Sequence, residues 1–124
     1  MGGFYLRTMA SGTQKFFAPV QLPDGAKVTK VTFETLDNNP SFSVRWTLKR
    51  RIGATLQGVA SRVTTNGAAT TGFQPLETTA ITAGREIVDN LTYSYFVEVE
   101  FNGNSPQLAA GRVLIEYTYT SPGS

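Results

Sequence analysis

The chain contains 124 residues, of which 40% are hydrophobic, and its 11 basic and 9 acidic side chains give a formal net charge of +2. This length suits one domain, and the hydrophobic fraction excludes wholesale disorder. Because the sequence has no Cys and no His, disulfides, thiolate catalysis, His-dependent catalytic triads and Cys- or His-ligated zinc are excluded.

The N-terminal third contains two weak strand candidates and one clear turn. The candidates are residues 15–21 and 27–36, and the turn sequence Pro23-Asp24-Gly25 separates them. In the second candidate, Val28 and Val31 fall on opposite faces of a regular strand. This spacing predicts a β-bulge or a change of sheet between the two valines.

The strongest strand signal in the middle of the chain is a period-two alternation over residues 41–52. Apolar side chains occupy its even positions, so successive residues point alternately to a dry face and a wet face. This phase predicts that Trp46 lies in the core. Weaker strand candidates follow at 56–65 and 72–76, with the turn sequence Asn66-Gly67 between them and a loop at 78–86.

The C-terminal third repeats the alternation twice. The side chains expected to face inward are Tyr93, Tyr95, Val97, Val99 and Phe101 in residues 92–101, and Val113, Ile115, Tyr117 and Tyr119 in the last strand. Strands with one apolar face need a second layer to cover them. We therefore predict an all-β fold, a two-sheet antiparallel sandwich of jelly-roll type with about eight short strands, in preference to a small barrel. It forms one domain over residues 1–124, with an ordered core at 4–120 and frayed termini.

Turn and core residues along nearly the whole chain follow a recognisable pattern. Its segments are APVQLPDGA at 18–26, VTKV at 28–31, DN at 37–38, VDN at 88–90, YSY at 93–95 and GRVLIEY at 111–117. The pattern resembles a β-rich domain of exported bacterial proteins that has no assigned activity. The resemblance implies an extracellular or cell-surface module whose leader is absent from this sequence, and it implies no substrate.

The carboxylates are the remaining candidates for catalysis. Glu98 and Glu100 share one face of a strand, about 7 Å apart by strand rise, which an inverting glycosidase tolerates. A salt-bridged or solvated face is the better interpretation, with Arg45 and Lys49 as cross-strand partners. We therefore expect no catalytic residue and no enzyme activity.

Other ligands have weaker signals. Asp37 and Asp89 are candidate oxygen ligands for Ca²⁺, although turns favour Asp for their own reasons, and no other cofactor is expected. Basic residues surround Trp46, but its burial removes a stacking platform, so nucleic acid is not an expected partner. The apolar runs are only a few residues long, so we expect no membrane-spanning helix.

Phe96 and Leu114 break the alternation of their strands and suggest a covered surface. The cover is either the N-terminal segment Phe4-Tyr5-Leu6 or another copy of the chain. The predicted homo-oligomer interface consists of Phe96, Leu114, Glu98, Glu100, Arg45 and Lys49, and fold analogy favours a trimer. The sequence thus predicts a non-catalytic structural or interaction module of an exported, surface or virion assembly. The alternative is a carbohydrate-binding module that uses the aromatic residues Tyr5, Phe73 and Phe96.

Overall fold

Eight β-strands make up most of the computed structural model, which describes residues 6–7, 13–39, 41–64, 72–103 and 108–119. The strands are β1 (Leu6–Arg7), β2 (Thr13–Pro19), β3 (Lys27–Asp37), β4 (Val44–Ile52), β5 (Thr55–Val63), β6 (Gln74–Thr78), β7 (Ser94–Asn102) and β8 (Leu108–Thr118). Within the described residues, no helix has the length and hydrophobicity needed to cross a membrane.

The strands form two four-stranded sheets in which every pairing is antiparallel. The first sheet has the order β1-β8-β3-β6 and the second has the order β2-β7-β4-β5. A single long two-stranded ribbon that is folded over on itself would contain four successive strand pairs. The four pairs found here are β1–β8, β2–β7, β3–β6 and β4–β5. The all-β, two-sheet prediction is confirmed, and the strand order is consistent with a jelly roll.

The core lies between the sheets, and Trp46 is at its centre. Its side chain is fully buried, and its ring stacks on Phe33 of the opposite sheet with centroids 5.1 Å apart. The indole Nε1 donates a hydrogen bond of 2.8 Å to Thr35 Oγ1, so the polar atom of this buried ring is satisfied. The predicted position of Trp46 is confirmed.

A register shift in β3 explains the unusual spacing of its valines. Both Val28 and Val31 are buried, and the pairing with β8 shifts between Val28 and Lys30. The predicted bulge is therefore present. A similar shift on the β4–β5 pair allows the consecutive residues Val59 and Ala60 both to be buried.

The loops agree with the sequence prediction where the structure describes them. Ala26 N donates to Pro23 O at 3.1 Å, and Gly25 has φ 84°, which is the conformation that glycine allows at this position of a tight turn. The loop predicted at 78–86 is confirmed for residues 79–86, which form neither helix nor named strand, whereas Thr78 is the last residue of β6. The turn sequence Asn66-Gly67 lies outside the described residues.

The prediction that Tyr117 and Tyr119 face the core is wrong, because their exposed fractions are 43% and 45%. Tyr117 pairs with Val28 near the beginning of β3, and Tyr119 follows the end of β8. The Tyr119 ring lies beside the turn at Gly25, 4.0 Å from where a Cβ of that residue would be. The side chains still alternate in direction to the end of β8, but there the strand has reached the open end of the sandwich, where an inward-pointing side chain remains exposed to solvent.

Candidate functional site

The outer surface of the first sheet is charged and internally paired. Lys30 Nζ lies 3.0 Å from Glu77 Oε2 and 3.9 Å from Glu116 Oε2. Arg112 Nε lies 3.3 Å from Glu34 Oε1 on the same surface. The hydrogen bond that Lys30 donates to Glu77, followed by the negative charge of that carboxylate, raises the pKa of Lys30 above its usual value of 10.5.

The outer surface of the second sheet carries a group of neighbouring exposed apolar side chains. Phe17 on β2 is 59% exposed and Leu56 on β5 is 50% exposed. The Phe17 ring contacts Phe96 of β7, with centroids 5.9 Å apart and planes tilted by 57°. With Pro19, which pairs with Phe96, these residues form what we call the apolar face: Phe17, Pro19, Leu56 and Phe96.

A shallow depression of about 490 Å³ lies on the apolar face. Its polar lining comes from Arg51 and Ser94, and its apolar lining includes all four residues of the apolar face. A concave surface with a few polar groups among apolar ones is a common form of binding site.

An ion pair lies beneath the rings of the apolar face. Glu98 is only 6% exposed, although it points outward from β7, and it pairs in register with Phe17. Its Oε1 accepts a hydrogen bond of 3.1 Å from Lys49 Nζ on β4. The predicted cross-strand pairing is therefore confirmed for Lys49, and Arg45 stands directly opposite Glu100 in the register of the same two strands.

The structure separates the two residues that broke the alternation. Phe96, Glu98, Glu100, Arg45 and Lys49 share the outer surface of the second sheet. Leu114 lies on the outer surface of the first sheet, where it pairs with Thr32 of β3. The six predicted interface residues thus belong to opposite surfaces of the sandwich, because two strands that share a pattern need not share a sheet.

The cover over Phe96 comes partly from Phe17, a contact that the sequence prediction missed. Phe4 and Tyr5 lie outside the described residues, and the backbone of Leu6 pairs with Ala110 in the first sheet. A signal for Phe17 was present in the sequence, because the pair Phe16-Phe17 must direct one ring to each face of its strand. Phe16 packs toward the core, and Phe17 points outward.

The two candidate calcium ligands do not form one site. Asp37 ends β3, whereas Asp89 is near its beginning, where Ile87 pairs with Lys27. The 11 residues of β3 span about 35 Å at strand rise. Each carboxylate already accepts hydrogen bonds from the protein. Thr64 Oγ1 donates to Asp37, and two backbone amides of the 89–92 turn donate to Asp89. Among the described residues, no cluster of three or more acidic side chains has the arrangement of a metal site.

A buried guanidinium is the second feature that the sequence prediction missed. Arg50 on β4 is 8% exposed, its Nε donates to Gln57 Oε1 at 2.7 Å, and its Cζ lies 3.9 Å from the centroid of the Tyr93 ring. The signal was its phase, because Arg50 occupies the same even-numbered series as Trp46 and Leu48.

Comparisons of the chain with protein-family models, with curated proteins and with solved structures find no significant match. A function must therefore be argued from the surfaces described above, because a β-sandwich by itself implies none.

Proposed function

We propose that this chain is a non-catalytic association module that binds further copies of itself through the apolar face. The observation that carries the proposal is the difference between the two outer surfaces. The first sheet presents ion pairs together with the exposed side chain of Leu114, whereas the second presents Phe17 in contact with Phe96, and Leu56 lines the same depression. Clustered exposed apolar side chains on one surface are typical of interaction sites.

The size of the second sheet predicts how strong this association is. Four strands about 4.8 Å apart and about 30 Å long present roughly 550 Å² per copy. Two such surfaces bury about 1,100 Å², which is near the lower limit for a specific interface. We therefore expect weak self-association that depends on protein concentration.

The geometry of the contact determines the number of subunits. If the apolar faces of two copies meet each other, the contact is self-complementary and closes a dimer. A trimer, which fold analogy favours, requires the apolar face to meet a different surface of the next copy. Multi-angle light scattering distinguishes the two, since one chain has a mass of 13.4 kDa.

The ion pair beneath the rings supports a binding role over a catalytic one. Lys49 holds the carboxylate of Glu98 in a nearly closed position under Phe17, so Glu98 is engaged as a structural partner. The proposed location in an exported, cell-surface or virion assembly depends on the sequence resemblance alone.

The test compares two substitutions that each place a carboxylate at an exposed apolar position, one on each sheet. We expect the mass of the parent chain to increase with concentration and Phe17→Asp to remain a monomer. Leu114→Asp, the matched control on the first sheet, should associate as the parent does. A parent chain that stays monomeric at millimolar concentration, or a control that dissociates as fully as Phe17→Asp, would contradict the proposal.

A carbohydrate-binding module is the second candidate, and the depression beside Phe17 and Phe96 is the observation in its favour. The aromatic set suggested by the sequence does not form one platform. Phe73 lies against the position of Gly111 in the first sheet, Phe96 is on the second, and Tyr5 is outside the described residues. A glycan array with the parent chain and Phe17→Ala tests this alternative, which requires binding that the substitution removes.

A further inference from the structure

Arg50 is a buried cation on β4, in the second sheet. It pairs with Tyr95 of β7 on one side and with Gln57 of β5 on the other, so it occupies an inner strand. Its side chain points toward the space between the sheets, in the same phase as the buried residues Trp46 and Leu48. A guanidinium is always charged in a protein, so Arg50 places a positive charge at this position.

No side-chain carboxylate of the chain neutralises Arg50. All nine acidic residues lie within the described part of the chain. The four ion-paired ones, Glu34, Glu77, Glu98 and Glu116, contact Arg112, Lys30 or Lys49. Asp24, Asp37, Asp89 and Glu86 accept hydrogen bonds in loops or turns, and Glu100 stands opposite Arg45. Buried charges are normally paired, and Arg50 has no carboxylate partner within the chain, so its guanidinium can accept an anion from outside.

The surroundings of Arg50 hold the guanidinium in one orientation. Gln57 accepts from its Nε at 2.7 Å, and the Tyr93 ring covers its plane with Cζ at 3.9 Å from the centroid. The two terminal nitrogens have no acceptor among the described residues. Because every buried side-chain nitrogen or oxygen of the described chain has a partner, these two nitrogens are accessible to solvent. Two parallel N–H donors in a fixed plane match the two oxygens of a carboxylate.

We propose that Arg50 binds the carboxylate of a small organic acid at this end of the sandwich. Arg85 adds positive potential nearby, since its Nη1 donates at 2.9 Å to the carbonyl oxygen of Gly58, the residue after Gln57. Tyr93, which contacts Arg50, also lines a depression of about 330 Å³ together with Tyr95, Leu22 and Asn90. Arg50 itself does not line this depression, so only the body of the acid would lie there. The inference is independent of self-association, because Arg50 points inward from the sheet whose outer surface carries the apolar face.

The test is an NMR titration of the protein, first with sodium acetate and then separately with sodium glucuronate, at constant ionic strength. It is done at a protein concentration at which the chain is monomeric. We expect both acids to shift the Arg50 Nε–Hε and Tyr93 ring signals saturably, with glucuronate binding more tightly because it also contacts the depression.

Three variants assign the binding to Arg50. Arg50→Met should weaken it at least tenfold, and Arg50→Lys, which keeps the charge without the planar pair of donors, should weaken it several-fold. Arg51→Met, the control on the opposite face of the same strand, should bind as the parent does. Circular dichroism verifies that each variant is folded, and Arg50→Lys serves as the test if Arg50→Met does not fold.

Three outcomes would overturn the inference. One is the absence of saturable shifts with either acid. Another is an equal loss of binding in Arg50→Met and Arg51→Met, which would indicate only general attraction to positive charge. The third is an Arg50→Met variant that is folded and binds both acids as tightly as the parent does.

Discussion

Replacement of Trp46 tests the position of the core and the best-defined polar contact inside it. The ring buries about 200 Å², which at about 25 cal/mol per Å² corresponds to ~5 kcal/mol of transfer free energy. Partial relaxation around the cavity offsets some of this, and Trp→Ala changes in cores typically lower the free energy of unfolding by about 3–5 kcal/mol. We expect a loss of about 4 kcal/mol for Trp46→Ala, which is a large share of the ~5–15 kcal/mol that stabilises a domain.

The hydrogen bond from Trp46 to Thr35 can be measured separately. Trp46→Phe keeps an apolar ring stacked on Phe33 but leaves Thr35 Oγ1 without its donor, which is 2.8 Å away in the parent chain. Thr35→Val removes the acceptor, and a double-mutant cycle should give a coupling energy of about 1–2 kcal/mol. Urea unfolding followed by far-ultraviolet circular dichroism is the suitable assay, because Trp46 is the only Trp and its fluorescence is lost in the variants.

A loss below about 1 kcal/mol for Trp46→Ala would refute its position between the sheets. A coupling energy near zero would show that the indole does not bond Thr35. Arg45→Ala, which truncates the exposed neighbouring residue of the same strand, is the control and should change stability by less than about 0.5 kcal/mol.

Three further predictions concern a glycine and two ion pairs. Gly103→Ala should destabilise the chain by about 2 kcal/mol or more in thermal unfolding, because φ is 138° there and a Cβ would lie 2.3 Å from the Phe42 ring. An unchanged melting temperature would contradict this geometry. Glu98→Gln should lower the free energy of unfolding by about 1–2 kcal/mol, since it leaves the partly buried Lys49 without its carboxylate; a neutral result would show that the pair is only a surface contact. The ion pair between Lys30 and Glu77 should stabilise the fold below pH 10.5, and this stabilisation should be lost as the pH rises through the raised folded-state pKa of Lys30. An NMR titration of the Lys30 side chain that shows no increase in its pKa would contradict the pairing with Glu77.

The period-two pattern predicted which face each strand buries, and little more. It placed Trp46 in the core, indicated a bulge or a change of sheet between Val28 and Val31, and put the charged partners Lys49 and Glu98 on one outward face. These features depend on the direction of successive side chains, which is local.

Sheet membership depends on which strands pair, and the alternation contains no information about pairing. For this reason Leu114 was grouped with Phe96, although they belong to different sheets. The same limitation hid the contact of Phe17 with Phe96, which exists only because β2 pairs with β7. Arg50 was missed for another reason, because its inward phase was visible but its charge suggested an exposed residue.

The position of β8 has a consequence for how the protein forms during translation. β8 is the last of the described strands, yet it lies between β1 and β3 inside the first sheet. Contacts so distant in sequence are typical of chains that fold in milliseconds to seconds. A nascent chain that ends before residue 108 has no partner for the inner edge of β3, and it exposes the apolar side chains Val31 and Phe33. Native pairing of the first sheet therefore waits until β8 has left the ribosome, and until then β3 is a site for aggregation or for a chaperone.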